Sequence, residues 1–162
     1  MKKIIFLFIS MLTLSSFTAC SQKDNSIITS LGIVNSEFSI LEEFDTHGGF
    51  HGDGDAFYIF EFESDISQQL SNNSKWNSLP LSEEVNMLVY GYEDETTSAG
   101  PYTKDRNSGE TVFPKITNGY YYFLDIQNTI NEDYIFGKIY LNFDVAIYDS
   151  DENKLYFYEF DS

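Results

Sequence analysis

Apolar and polar residues alternate with a period of two through the C-terminal third of the chain, which constrains the fold more than any other feature. The segments "IYLNFDVAIYD" (139–149) and "LYFYEF" (155–160) place apolar side chains at every second position. Residues 149–154 have the composition of a tight turn. The pattern predicts a β-hairpin, because the side chains of a strand point alternately to its two faces. The aligned apolar residues are Ile139, Leu141, Phe143, Val145 and Ile147 in the first strand and Tyr156, Tyr158 and Phe160 in the second.

Three further segments alternate in the same way. In the first, Phe38, Ile40 and Phe44 are expected to share one face. The second is apolar on both faces along its first half, which predicts a central position in the sheet. In the third, we expect Tyr122 to point into the core and Tyr121 to point outward. The segments are "EFSILEEF" (37–44), "AFYIFEF" (56–62) and "NGYYYFLDIQ" (118–127).

Helix signals are concentrated in one short segment. Ser82 can cap a helix that begins at Glu83, and Gly91 is placed to end it. A shorter helix is expected over residues 64–70, whereas residues 92–113 have little periodicity and are expected to form a long polar loop. The apolar residues at positions i, i+3 and i+4 of the stronger helix are Val85, Leu88 and Val89.

The order of these segments predicts the fold class. Locally pairing strands that bracket one or two helices indicate an α+β fold with a mainly antiparallel sheet of about five strands, the helices being inserted after the second strand. An all-β sandwich or barrel is the alternative if "VNMLVYGY" (85–92) is a strand. The length of 162 residues and the hydrophobic content of 42% suit a single domain with its own core. We expect this domain to span residues 31–162.

The N-terminal segment has the organisation of an export signal. A basic start precedes an apolar run (4–14) that is too short to span a bilayer, and the small residues Thr18 and Ala19 stand before Cys20. This ending resembles the lipobox of bacterial lipoproteins, with Phe17 at the position where Leu is commonest. The resemblance implies lipid attachment to the Cys20 sulfur, cleavage before Cys20 and acylation, for example by palmitate, of its amine.

This resemblance sets the expected domain organisation and location. Residues 1–19 would be the signal peptide and residues 20–30 the lipid anchor with a polar tether. The protein would then be attached to a cell membrane or outer envelope on its extracytoplasmic face. Cys20 is the only cysteine, so the domain has neither a disulfide nor a thiol nucleophile. The stretches "DTHGGFHGDG", "WNSLPL" and "NGYYYF", together with the Asp-rich hairpin, are similar to small exported bacterial domains without an established activity, and this similarity implies no catalytic residue.

The chain is strongly acidic. It contains 26 Asp and Glu against 9 Lys and Arg, for a formal net charge of −17. Such a charge repels phosphate backbones, and no basic cluster lies beyond Lys2 and Lys3, so nucleic-acid partners are excluded. The acidity suits neutralisation of a basic toxin or envelope protein by an immunity or inhibitor protein, although simple solubility of an exported domain is the plainer explanation.

The stretch "DTHGGFHGDGDAFYIF" (45–60) holds the candidate ligand or metal contacts. Its histidines are four residues apart, as on a zinc-binding helix, but the glycines between them disfavour a helix. Alternate residues of a strand lie roughly 6.5–7 Å apart, too far for zinc bonds of about 2 Å without a kinked loop. The stretch therefore reads first as a hairpin connection with Asp53-Gly54 as its turn, and no cofactor is expected. The candidates are His47, His51, Asp53 and Asp55.

Two aromatic residues are candidates for a binding surface. Trp76 either covers one end of the core or stacks on a sugar, and Tyr121 is the outward member of its strand. Together these observations favour a lipid-anchored, non-enzymatic binding or recognition domain. A metal-dependent or His-assisted enzyme centred on the 45–55 loop is the alternative, although no nucleophile motif accompanies the histidines.

Overall fold

The computed structural model describes residues 17–48, 53–96, 98–105, 108–126 and 141–161. The chain divides into two compact units, Met1–Asn35 and Ser36–Ser162. In chain order the elements are α1 (Phe17–Ser30), β1 (Phe38–Asp45), β2 (Gly54–Phe62), α2 (Ser67–Ser71), β3 (Trp76–Ser78), α3 (Glu83–Tyr90), β4 (Tyr92–Glu93), β5 (Ser98–Ala99), β6 (Gly119–Asp125), β7 (Asn142–Asp149) and β8 (Lys154–Asp161).

Helix α1 makes up most of the described part of the first unit. It is closed by two backbone hydrogen bonds, in which Ile33 donates to the carbonyl of Ile28 (3.1 Å) and Gly32 donates to that of Thr29 (2.9 Å). These bonds satisfy carbonyl groups of the last turn. The segment expected to form a tether (20–30) is therefore helical. None of the described helices is long and apolar enough to cross a membrane.

The second unit is built on a six-stranded sheet in the order β1-β2-β8-β7-β6-β3, in which every neighbouring pair is antiparallel. The α+β prediction is confirmed, and the all-β alternative fails because most of residues 85–92 form helix α3. The central position of β2 and the β7–β8 hairpin are confirmed as well, with Asp149 paired with Lys154 beside the turn. The sheet has one strand more than expected, since β3 is too short to show an alternation.

A β-bulge in β1 decides which face Phe44 occupies. The register shifts after Ile40, where Leu41 is the extra residue. Phe38 and Ile40 therefore lie on one face of the sheet and Phe44 on the other, where its ring is 5.7 Å from that of Phe57. The expectation that the three share one face is wrong, because one inserted residue reverses the alternation beyond it.

Helix α3 packs on one face of the sheet and forms the main core with it. The Ser82 side chain accepts a hydrogen bond from Val85 N (3.4 Å), and the helix ends at Gly91, as predicted. The apolar stripe of α3 is almost completely buried, as is Phe113 from the segment before β6. The core comprises Val85, Leu88 and Val89 of α3, Phe113, and the sheet residues Phe57, Tyr121, Phe143, Val145, Ile147, Tyr156 and Tyr158.

Two segments differ from prediction in detail. The shorter helix, α2, begins at Ser67 rather than at residue 64 or 65, because Asp65 Oδ1 accepts hydrogen bonds from Ser67 N (2.9 Å) and Ser67 Oγ (2.6 Å) and so precedes the first turn. The segment expected to be a polar loop (92–113) contains the two-stranded β4–β5 sheet and a bridge between Lys104 and Thr111. Strands of two residues leave no periodic signal.

Tyr121 and Tyr122 of β6 are both buried, so the expectation is confirmed for Tyr122 and wrong for Tyr121. Tyr121 pairs with Ile147 and belongs to the main core, with 9% of its surface exposed. Tyr122 lies on the opposite face, where its ring is 5.9 Å from that of Trp76. Tyr121 is therefore not a surface aromatic residue. Both faces of this strand carry aromatic residues, so only the pairing with β7 determines which one meets α3.

Gly119, at the start of β6, is expected to be the least replaceable glycine of the sheet. Its φ is +151°, and a Cβ there would overlap the carbonyl oxygen of Tyr148 in the paired strand. Gly119→Ala should lower the free energy of unfolding by on the order of 3 kcal/mol. Gly109 also has a positive φ (+73°) but has open space around it, so Gly109→Ala should cost only about 1 kcal/mol. Urea unfolding measures both, and equal losses would contradict the steric argument.

Candidate functional site

His47 lies two residues beyond the end of β1 and close to the backbone of β2. Thr46 N donates to the carbonyl of Asp55 (2.8 Å), which holds the chain against β2 at this point. A Cβ at Gly54 would lie 2.7 Å from His47 N and 2.8 Å from its Cα. Glycine is therefore required here, and the close approach places the His47 backbone beside Gly54, whose pairing partner in β8 is Asp161.

Asp45 sets the orientation of the His47 ring. Its Oδ1 accepts a hydrogen bond from His47 N (2.9 Å) and lies 2.8 Å from His47 Nδ1. A carboxylate can only accept, so Nδ1 carries the proton in this contact. The other ring nitrogen, Nε2, is therefore the one that faces β8. A carboxylate that orients an imidazole in this way is the usual outer partner of a metal-binding histidine.

Two carboxylates of β8 complete the cluster. Glu159 and Asp161 are alternate residues and project from the same face of the strand. Glu159 pairs with Ala56 and Asp161 with Gly54, and Ala56 pairs in turn with Asp45, so both carboxylates lie across β2 from the end of β1. His47 Nε2 is 3.6 Å from Asp161 Oδ2, and potential ligand atoms of His47, Glu159 and Asp161 all lie within 4.8 Å of one another. We call these three residues the His47 cluster.

Asp144 of β7 adds a further carboxyl group next to this cluster. It pairs directly with Glu159 across the β7–β8 ladder. Burial, and then the charges of Glu159 and Asp161, raise the pKa of Asp144 to about 7. The negative charges of Glu159 and Asp161 therefore disfavour ionisation of the neighbouring Asp144.

Two buried polar atoms at this place have no hydrogen-bond partner among the described residues. They are His47 Nε2 and Asp144 Oδ1. An unpaired buried polar atom costs about 1–3 kcal/mol. The 3.6 Å from His47 Nε2 to Asp161 is longer than a hydrogen bond. Two species would satisfy the nitrogen: a proton, which would pair the imidazolium with Asp161, or a metal ion between the nitrogen and the carboxylates.

The other described candidates from the 45–55 stretch, Asp53 and Asp55, do not join His47. Asp55 points to the opposite face of β2, where its carboxylate accepts a hydrogen bond from the buried Tyr158 hydroxyl (3.0 Å) and contacts Thr46 Oγ1 (3.1 Å). It is 6% exposed and serves the core. Asp53 is exposed, and His51 lies outside the described residues. The hairpin interpretation holds in outline, but Gly54 is the first residue of β2 and not a turn residue.

The candidate surface aromatic residues are both buried. Trp76 is 6% exposed and packs on Tyr122, so it covers part of the sheet and is unavailable for stacking on a sugar. Tyr121 is in the main core, as described above. Cys20, the expected lipidation site, falls within α1.

The sequence reasoning missed Glu159, Asp161 and Asp144. A weak signal was present, because Glu159 lies on the face of the predicted terminal strand opposite its aligned Tyr and Phe residues, and Asp161 follows two positions later. What the sequence could not supply was the pairing of this strand with β2, about 100 residues earlier, which brings the carboxylates to His47. No protein-family model, curated protein or solved structure matches the chain.

A second feature of the surface is an acidic strip along β1. In the described part of the sheet β1 has a neighbour on one side only. Exposed glutamates line this strand and the adjoining ends of β2, and Leu41 at the bulge is 50% exposed among them. We call this surface the acidic edge. It comprises Glu37, Glu42, Glu43, Glu61 and Glu63.

Asp144→Asn should stabilise the metal-free protein in a pH-dependent manner. In the unfolded chain this carboxyl ionises near its ordinary pKa of about 3.9, whereas in the folded protein its pKa is about 7. Its ionisation therefore opposes folding increasingly between about pH 4 and pH 7. With allowance for solvent screening, the variant should gain about 1–2 kcal/mol in the free energy of unfolding at pH 8 and roughly one third of that at pH 5.

Urea unfolding with a chelator present measures this gain. Asp53→Asn is the matched control, because it removes an exposed carboxylate outside the cluster. A gain that is the same at both pH values, or shared by the control, would contradict the assignment.

Proposed function

We propose that this protein is a lipid-anchored lipoprotein of the extracytoplasmic face of a cell envelope, and that it acts by binding a basic partner protein. The observation that carries the anchoring is the sequence before Cys20. A basic start, a short apolar run and the small residues Thr18 and Ala19 lead directly to the only cysteine of the chain. The position of this cysteine, directly after the small residues, is the one at which a lipoprotein signal is cleaved and lipidated.

The acidic edge supports binding of a basic partner. An open strand edge offers backbone N–H and C=O groups to a further strand, and the side chains beside it decide which strand is accepted. Here the flanking Glu42 and Glu43 favour lysine or arginine, while the exposed Leu41 offers an apolar contact in the middle. A net charge of −17 would also speed the approach of a cationic protein.

Immunity or inhibitor proteins have this mode of action. They neutralise a toxin or enzyme by occupying its surface, so they need complementary charge and a rigid scaffold but no reacting groups of their own. A lipid anchor would hold such a protein where an external toxin arrives.

The competing function is a metal-dependent or His-assisted enzyme, favoured by one observation, the convergence of the His47 cluster. His-assisted catalysis requires a nucleophile or a substrate proton within hydrogen-bond reach of the ring. In the described part of the chain the hydrogen-bond and ion-pair partners of His47 are Asp45 and Asp161, both carboxylates. A binding role for the His47 cluster therefore requires no nucleophile or proton donor beside His47, whereas catalysis does.

Cys20→Ser should release the protein from the membrane fraction, because a serine oxygen cannot receive the lipid in place of the thiol. The full chain and the variant are expressed in a bacterial host that processes lipoproteins, and the fractions are separated by ultracentrifugation. Metabolic labelling with a palmitate analogue should mark the wild type only. Membrane association of the variant equal to that of the wild type would overturn the anchoring proposal.

Replacing two glutamates of the acidic edge should weaken binding of a cationic strand. The probe is a synthetic peptide of alternating lysine and valine, titrated against the full chain in detergent. Glu42→Gln/Glu43→Gln should raise its dissociation constant about 3- to 10-fold, and salt should weaken binding to the wild type more than to the variant. Glu93→Gln/Glu95→Gln removes the same charge from exposed positions outside the edge. If the control weakened binding equally, the effect would come from net charge alone, and the acidic edge would not be the binding surface.

A further inference from the structure

We propose that His47 Nε2 and one carboxylate oxygen each from Glu159 and Asp161 bind a single divalent metal ion of the zinc class. This site goes beyond the proposed function, since it requires neither the lipid nor a partner protein. It also differs from a metal site made of the 45–55 stretch alone, because two of its three ligands come from β8.

The first argument is geometric. Zinc bonds of about 2.0–2.2 Å in a tetrahedral arrangement place neighbouring ligand atoms about 3.3–3.6 Å apart. His47 Nε2 and Asp161 Oδ2 are 3.6 Å apart, too far for a hydrogen bond and close to the edge of such a tetrahedron. The whole set lies within 4.8 Å, so small rotations of the two carboxylates complete the site. Among the residues that the structure describes, no other group of His, Cys, Asp or Glu side chains meets this distance.

The second argument is the state of the imidazole. Asp45 holds Nδ1–H, which aims Nε2 at the carboxylates before any ion binds. This Nε2 is buried, and only 20% of the His47 side chain is exposed. The nitrogen has no hydrogen-bond partner among the described residues. An acidic cluster on a protein surface attracts cations diffusely, whereas an oriented nitrogen among carboxylates defines one position.

The third argument concerns which metal would bind. One imidazole nitrogen with two carboxylate oxygens suits zinc and the neighbouring first-row transition metals. Calcium and magnesium prefer sets made only of oxygen, with six or more ligands, and three protein ligands including a nitrogen match neither. With three protein ligands the ion keeps at least one position for water or for a group from a bound molecule.

The test uses the full chain purified in detergent, stripped with a chelator and titrated near neutral pH with Zn²⁺, Co²⁺, Ca²⁺ and Mg²⁺ separately. Calorimetry should detect one equivalent of Zn²⁺, and Co²⁺ should give a visible absorption band at the same stoichiometry. His47→Ala and Glu159→Gln should each weaken Zn²⁺ binding more than about 100-fold. Asp45→Asn should weaken it about 10-fold, because loss of an outer partner typically costs about 10–100-fold.

Asp53→Asn is the matched control and should bind Zn²⁺ as the wild type does, since this exposed carboxylate in the same connection lies outside the cluster. Circular dichroism of each variant separates loss of a ligand from loss of the fold, and the isosteric Glu159→Gln keeps the test valid if His47→Ala fails to fold. The proposal is overturned if Zn²⁺ does not bind at one equivalent. It is overturned equally if folded Glu159→Gln binds as the wild type does, or if Asp53→Asn weakens binding as much as Glu159→Gln.

Discussion

The antiparallel pairing of β2 with β8 is the constraint on which the rest of this structure depends. It joins a hairpin from the first half of the chain to a hairpin from its last third. On one face it packs Phe57 against Tyr158 in the core, and on the other it places Glu159 and Asp161 across β2 from the end of β1. The core and the candidate metal site thus lie on opposite faces of the β2–β8 ladder. A register shift of one residue would move the side chains of each to the other face.

The sequence predicted what local rules determine. The cap at Ser82, the stripe on α3 and the β7–β8 hairpin each lie within a few residues of the chain, and each was confirmed. The sequence-based prediction failed where the face that a side chain occupies depends on pairing with a strand elsewhere in the sheet. The bulge at Leu41 reverses the face of Phe44, and pairing with β7 turns Tyr121 into the core. Period-two alternation identifies a strand but does not identify which face will be covered.

The same division applies to the candidate site. The 45–55 stretch suggested a local cluster, but of its candidates only His47 reaches the site in the described structure. Asp55 lies across the sheet, bound to Tyr158. The carboxylates that meet His47 are distant in sequence, and with 26 acidic residues in the chain neither Glu159 nor Asp161 stood out. The position of the candidate metal site depends on the order of the strands, which is established only when the sheet is assembled.

The place of β8 has a consequence for the order in which the sheet can form. In the spatial order β1-β2-β8-β7, the last strand of the chain, β8, belongs to the C-terminal hairpin and lies against β2 of the first hairpin. Each hairpin can close on its own because its partners are neighbours in sequence, but the join requires closure of a loop of roughly 100 residues. Until then β2, apolar on both faces, presents an uncovered edge. During this interval the chain is most exposed to aggregation, and docking of the two preformed hairpins covers the edge of β2.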